Sequence, residues 1–247
     1  MRIIAKGLPS FITSLSLISG CISVVISTTR GDLTLAGYFI LISAALDFVD
    51  GMAARLLHSI SEFGKQLDSL SDVICFGVAP AMILYRLILH SFTGGSLPGQ
   101  EELLPWQLVI LYSPFLVAVF SALRLAKFNL DLKQVKSFRG LPTPANALFI
   151  IALGFASESR FGFMQEIVYN LPFLVITIVL SCFLLVCNLP MFSLKLSSLG
   201  LKENGMRYLL IICSVLLLAF YGLSALAAII LLYILLSMMN NWFVKMS

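Results

Sequence analysis

Charge is what this chain has least of. Asp, Glu, Lys and Arg make up 11% of its 247 residues, against 60% hydrophobic. That balance lies far outside the soluble range and reads as a polytopic membrane protein. The five cysteines, Cys21, Cys75, Cys182, Cys187 and Cys213, are scattered through apolar stretches with no C-x-x-C spacing. This argues against a disulfide framework or zinc site and makes them small apolar fillers. The net charge of +4 comes without a basic patch interleaved with aromatics, so nucleic acid is not an expected partner. No internal repeat, low-complexity tract or boundary for a soluble domain is visible. Arg2 and Lys6 precede an apolar run, yet no small-x-small cleavage site follows, so that run reads as a first span.

Crossing about 30 Å of hydrocarbon takes roughly 20 helical residues. The apolar runs divide into pieces near 10–29, 33–56, 67–89, 105–128, 142–158, 167–189, 206–222 and 224–243. The last two are joined by almost nothing around Tyr221 to Ser224 and form a tight hairpin or, alternatively, one long helix. With the N-terminus inside, every Lys and Arg except Arg30, Arg86 and Arg160 falls on an inner segment. Positive charge favours the cytoplasmic side. Arg86 falls near the outer end of a span, where it can snorkel outward. The outer loop "HSFTGGSLPGQEELLP" has no Lys or Arg, as this topology expects.

Against that background, "DFVDGMAARLLHSISEFGKQLDSLSD" holds five of the 12 acidic residues. Asp47 and Asp50 are three apart and Asp68 and Asp72 four apart, so on helices each pair shares a face. The intervening turn brings the two helices side by side. Gly51, Ala54 and Gly64 are small enough to let backbones approach or to leave room for a ligand. Intramembrane acids often pair with Arg or Lys, but four aspartates outnumber Arg55 and Lys65. Hard oxygen ligands suit Mg²⁺, Mn²⁺ or Ca²⁺, and metals held by carboxylates can stabilise a phosphoryl displacement. His58, alone in the turn, reads as a surface residue, and Asp131, in a basic loop, as solvated.

The run Asp47, Asp50, Gly51, Ala54, Arg55, Gly64, Asp68 and Asp72 follows D-x2-D-G-x2-A-R-x8-G-x3-D-x3-D. It resembles the signature of the CDP-alcohol phosphotransferase family. The resemblance implies an all-α integral membrane enzyme with a six-helix core, displacing CMP from a CDP-linked lipid. The core would cover 1–195, with 196–247 a C-terminal helical hairpin beyond it. "SEFGKQLDSLSDVICFGVAPA", "RLAKFN", "FRGLPTPAN" and "NLPMFSLK" are similar to the serine-transferring members, which implies CDP-diacylglycerol and L-serine as substrates. The resemblance further implies metal binding by Asp47, Asp50, Asp68 and Asp72, with Asp72 also the base, and a homodimer in the cytoplasmic membrane. Mg²⁺ or Mn²⁺, two ions together, is the expected cofactor.

Pro9, Thr13, Gly51, Ala54, Arg55 and Gly64 are the expected nucleotide and phosphate contacts. Ser10 and Ser16 stand where family members often carry Asn. Serine carries both an ammonium and a carboxylate, and Arg124, Lys127, Asn129 and Arg139 are candidates for the latter. For Lys127, cytoplasmic charge bias is at least as good an account. Other acceptors, glycerol 3-phosphate or an inositol phosphate, stay open. A cation-coupled transporter is the alternative from another class, disfavoured because such sites sit near the midplane on interrupted or repeated helices.

The charge bias makes a topological prediction. Cysteines introduced as Lys133→Cys and Lys202→Cys should be shielded from a membrane-impermeant thiol reagent in intact cells, whereas Gly94→Cys should label. Labelling at position 133 would invert the orientation.

Overall fold

A computed structural model of the chain describes residues 2–59, 61–95, 103–130, 140–187, 189 and 201–246. These fold entirely as helices and turns. The elements are α1 (Arg2–Thr29), α2 (Leu33–Leu56), α3 (Glu62–Val73), α4 (Ala79–Thr93), α5 (Pro105–Tyr112), α6 (Phe115–Leu130), α7 (Thr143–Ser157), α8 (Gly162–Val168), α9 (Leu171–Val186), α10 (Leu201–Tyr221) and α11 (Leu226–Met246). A π-helical turn, Ile74–Val78, joins α3 to α4 without a break, and a 3₁₀ turn, Gly222–Ala225, joins α10 to α11. Five stretches among the described residues are long and apolar enough to cross a membrane: Gly7–Thr29, Leu33–Leu56, Glu62–Thr93, Pro105–Leu130 and Gly205–Met239. The protein is therefore an integral membrane protein.

Two expected spans are less regular than their apolar runs suggest. Pro114 separates α5 from α6, because it has no N–H to continue the helix. The run at 167–189 is divided by a 65° bend between α8 and α9. There Asn170 caps α9 by accepting the Phe173 N–H at 3.1 Å, with Pro172 in the first turn.

The core sits around α4. Ile83, Leu84, Leu87 and Ile88 are wholly buried and pack in one cluster with Phe76, Ile40, Val117, Ile150 and Leu174 from neighbouring elements. A helix buried on all sides is the centre of a bundle. On one side of it α1 lies against α2 through hydroxyls. Ser16 and Ser43 face each other at 2.7 Å, and each donates to the other's carbonyl, at 3.0 and 2.9 Å. Ser19 donates to Phe39 O at 2.7 Å and Ser23 to Ala36 O at 2.8 Å. Small polar residues of this kind let membrane helices approach and bond directly.

The C-terminal pair is a hairpin, not one long helix. Arg160 donates to Phe220 O at 3.4 Å and Ser224 contacts the Met164 sulfur at 3.7 Å, both beyond the end of α7. Ile230 and Ile234 then pack on Leu141, just before α7 begins. α10 and α11 also pack on each other, so the chain turns back within the apolar stretch Gly205–Met239, at the 3₁₀ turn, where Gly222 takes a left-handed φ of 61°. The expected boundary at 195/196 lies outside the described residues.

Close packing of α1 on the π-helical turn depends on Gly20. A Cβ there would lie 2.6 Å from Cys75 Sγ and 3.1 Å from Cys75 Cα. Gly20→Ala should therefore cost about 1–3 kcal/mol of stability, the usual range for overpacking, and lower the melting temperature in detergent. Gly162→Ala, where nothing lies within 4 Å of the added atom, should not.

Candidate active site

The four aspartates come from two helices joined by a built turn. Asp47 and Asp50 lie in the last three turns of α2, and Asp68 and Asp72 on α3. Two backbone bonds close α2, His58 N–H to Arg55 O at 3.3 Å and Ser59 N–H to Ala54 O at 3.0 Å. This is a Schellman closure, with His58 in the left-handed region at φ 47°. Ser61 then caps α3, accepting the Gly64 N–H at 3.0 Å. One carboxylate oxygen each from Asp47, Asp50 and Asp68 lies within 4.8 Å of the others. Asp72 stands outside that triad, half-buried, and interacts directly with Asp47.

Beside the triad opens a cleft of about 190 Å³ lined by Pro9, Ser10, Thr13, Asp50, Gly51, Ala54, Ser59, Ser61, Gly64, Lys65 and Asp68. All the small residues of the motif thus border one space. Gly51 has nothing within 4 Å of where a Cβ would stand. Its smallness keeps the cleft open and does not serve helix packing, which falls instead to Gly20 against Cys75 and Gly77 against Ala118 and Ser121. At Gly64 a Cβ would meet only the hydroxyls of Ser61 and Ser10, at 3.1 and 3.6 Å.

Thr13 is more than a lining residue. Its hydroxyl lies 2.5 Å from Asp50 Oδ2 and 3.0 Å from Pro9 O, and Asp50 is only 4% exposed. A hydroxyl held against a buried carboxylate orients it, as the outer partners of metal ligands do. Of the two departures from the family pattern, Ser10 lines the cleft and Ser16 is engaged in the α1–α2 contact.

The basic and amide candidates divide. Arg55 is exposed and donates from Nε to Gly51 O at 2.9 Å, within its own helix. Arg124 is half-buried, its Nε has no partner, and it feels the charge of Asp72. Asn129 donates to Ser69 Oγ at 2.8 Å and so ties α6 to α3. Lys127 is exposed. Arg139 and Asp131 lie outside the described residues. Two groups missed by motif reasoning are Asn146, 1% exposed with neither amide atom partnered, and Ser59, whose buried hydroxyl is also unpartnered. Asn146 closes the block "FRGLPTPAN", but no role is read for it there.

Three carboxylates in reach of one ion are a fitting donor set for a hard divalent cation. The chain is 34% identical over 117 residues to a Bacillus subtilis protein named CDP-diacylglycerol--serine O-phosphatidyltransferase, covering 47% of this chain and 58% of that one. A Helicobacter pylori protein of the same name is 31% identical over 159 residues, 64% of this chain and 60% of its own. A Methanothermobacter thermautotrophicus protein named archaetidylserine synthase is 35% identical over 164 residues, 64% of each. The chain thus spans about three fifths of the length of these relatives. The family description CDP-alcohol phosphatidyltransferase matches residues 6–187, which takes in α2, α3 and the whole cleft and leaves out the final hairpin. By its aspartates, its cleft and this match, the chain belongs to the CDP-alcohol phosphatidyltransferase family.

Proposed function

We propose that the protein transfers the phosphatidyl group of CDP-diacylglycerol to L-serine, releasing CMP, at the cytoplasmic face of the cytoplasmic membrane. The observation that carries this reading is the carboxylate triad opening on a cleft lined by the motif's own small residues. Serine as acceptor is supported by the names of the relatives, and the cytoplasmic face by the Lys and Arg bias. A homodimer belongs to the same reading and rests on the family alone.

Asp47, Asp50 and Asp68, with Asp72 in a two-ion arrangement, would hold Mg²⁺ or Mn²⁺, which when bound neutralises pyrophosphate charge and makes CMP a better leaving group. Thr13 keeps Asp50 oriented. Gly51, Ala54, Gly64 and Pro9 leave room for the nucleotide. Asp72, outside the triad, takes the proton of the serine hydroxyl as its oxygen bonds to phosphorus. The P–O bond to CMP breaks in the same displacement, and phosphatidylserine is left in the bilayer. Arg124, with its unpartnered Nε near Asp72, is the side chain best placed to receive the serine carboxylate. Arg139 remains a second candidate, and Arg55, engaged by Gly51 O through Nε alone, a phosphate contact through its Nη groups.

Two measurements test this. CMP release from CDP-diacylglycerol and serine should stop in excess EDTA and return with Mg²⁺ or Mn²⁺, while glycerol 3-phosphate and inositol phosphate should not replace serine. Full turnover in EDTA would sink the metal reading. In single-turnover assays Asp72→Asn should slow CMP release by at least about 10²-fold yet keep metal-dependent nucleotide binding better than Asp47→Asn or Asp68→Asn. Loss of nucleotide affinity as complete as in Asp47→Asn would leave Asp72 a ligand only.

A further inference from the structure

Ser59 is one of the cleft residues that the motif does not account for. The Schellman closure of α2 fixes its backbone: its N–H bonds Ala54 O at 3.0 Å, and His58 before it takes a φ of 47°, a left-handed conformation that residues with a Cβ rarely adopt. The turn lies outside both flanking spans, Leu33–Leu56 and Glu62–Thr93. The Ser59 side chain lines the cleft, is 9% exposed, and has a buried hydroxyl with no partner. Its neighbours are engaged, Ser61 Oγ by the Gly64 N–H and Thr13 Oγ1 by Asp50. A buried hydroxyl left unpaired is costly, and a ligand that pairs with it removes that cost.

We propose that Ser59 reads the nucleoside half of the CDP-linked substrate, hydrogen-bonding the cytidine. The direction follows from where the polar and apolar parts of such a lipid can go. The acyl chains stay within the span region, and the pyrophosphate belongs at the aspartates. The nucleoside is left for the end of the cleft that lies past the helix termini, where Ser59 stands. A hydroxyl suits this task because it both donates and accepts. The inference rests on the proposed function insofar as the cleft takes a CDP-linked substrate.

The probe is CMP, titrated calorimetrically onto the purified full chain in detergent with Mg²⁺, alongside steady-state kinetics. Ser59→Ala should weaken CMP binding by roughly three- to tenfold, the loss expected for one neutral hydrogen bond, and raise the KM for CDP-diacylglycerol similarly. The KM for serine should not move. Ser59→Thr, which keeps the hydroxyl, should recover most of the affinity, and His58→Gly, which relieves the left-handed turn without touching the cleft, should bind CMP as the parent does. Unchanged CMP affinity in Ser59→Ala, with the parent binding normally, overturns the inference and leaves the proposed function standing. Equal loss of CMP and serine affinity, or a drop in melting temperature, would make Ser59 a turn-building residue and overturn it too. A parent chain that binds no CMP in the presence of Mg²⁺ removes the proposed function and this inference with it.

Discussion

Hydroxyls within a membrane bundle have no water to turn to, and between α1 and α2 they bond across the helix pair. Ser16 and Ser43 satisfy each other reciprocally, and Ser19 and Ser23 find α2 carbonyls. Interhelical bonds of this kind contribute only about 0.6 kcal/mol each on average, so they set register more than they set stability. Register is what the site requires. Thr13 lies one turn before Ser16, and Asp50 two turns after Ser43, so the same alignment that pairs the serines brings Thr13 to Asp50. A slip of one turn would unpair the hydroxyls and release the carboxylate together.

The second requirement is that α3 face α2 while α4, its continuation, is buried on every side. The π-helical turn Ile74–Val78 stands between these two demands. It begins two residues after Asp72 and changes the angular advance along the chain, so the faces of α3 and α4 are set independently. Tight contacts hold it in place: Cys75 against Gly20 on one side and Gly77 against Ala118 and Ser121 on the other. The bundle is thus close-packed just beneath the carboxylates and open just beside them, at Gly51.

Much of this was legible in the sequence because spacing reports which residues share a helix face. The aspartate pairs, most of the spans and the closing hairpin follow from periodicity and length. What spacing cannot report is what stands across from a face. Gly20 and Gly51 look alike in a sequence, yet one meets a backbone and the other empty space. Arg55, read as a phosphate contact or an ion pair, also bonds its own helix through Nε. Asn129 reaches Ser69, sixty positions away in the chain, a pairing only the fold can make. The serine ladder was written in α1 at spacings of three and four, but the hydroxyls were lost among the apolar residues that mark a span.

Charge closes the account. Four carboxylates on α2 and α3 and the Arg124 guanidinium share one bundle, yet Arg124 Nε is left without a partner and the one motif arginine turns to Gly51 O. Buried charges that merely stabilise a fold are paired and hydrogen-bonded, because taking an ion out of water costs several kcal/mol, about as much as a whole domain's margin. A fold that clusters four carboxylates and leaves Arg124 Nε without a hydrogen bond has groups that complementary charges could engage. In the proposed reaction a divalent ion would meet the aspartates and the serine carboxylate would meet Arg124. The clustered carboxylates and the Arg124 Nε are thus the groups on which the proposed reaction rests.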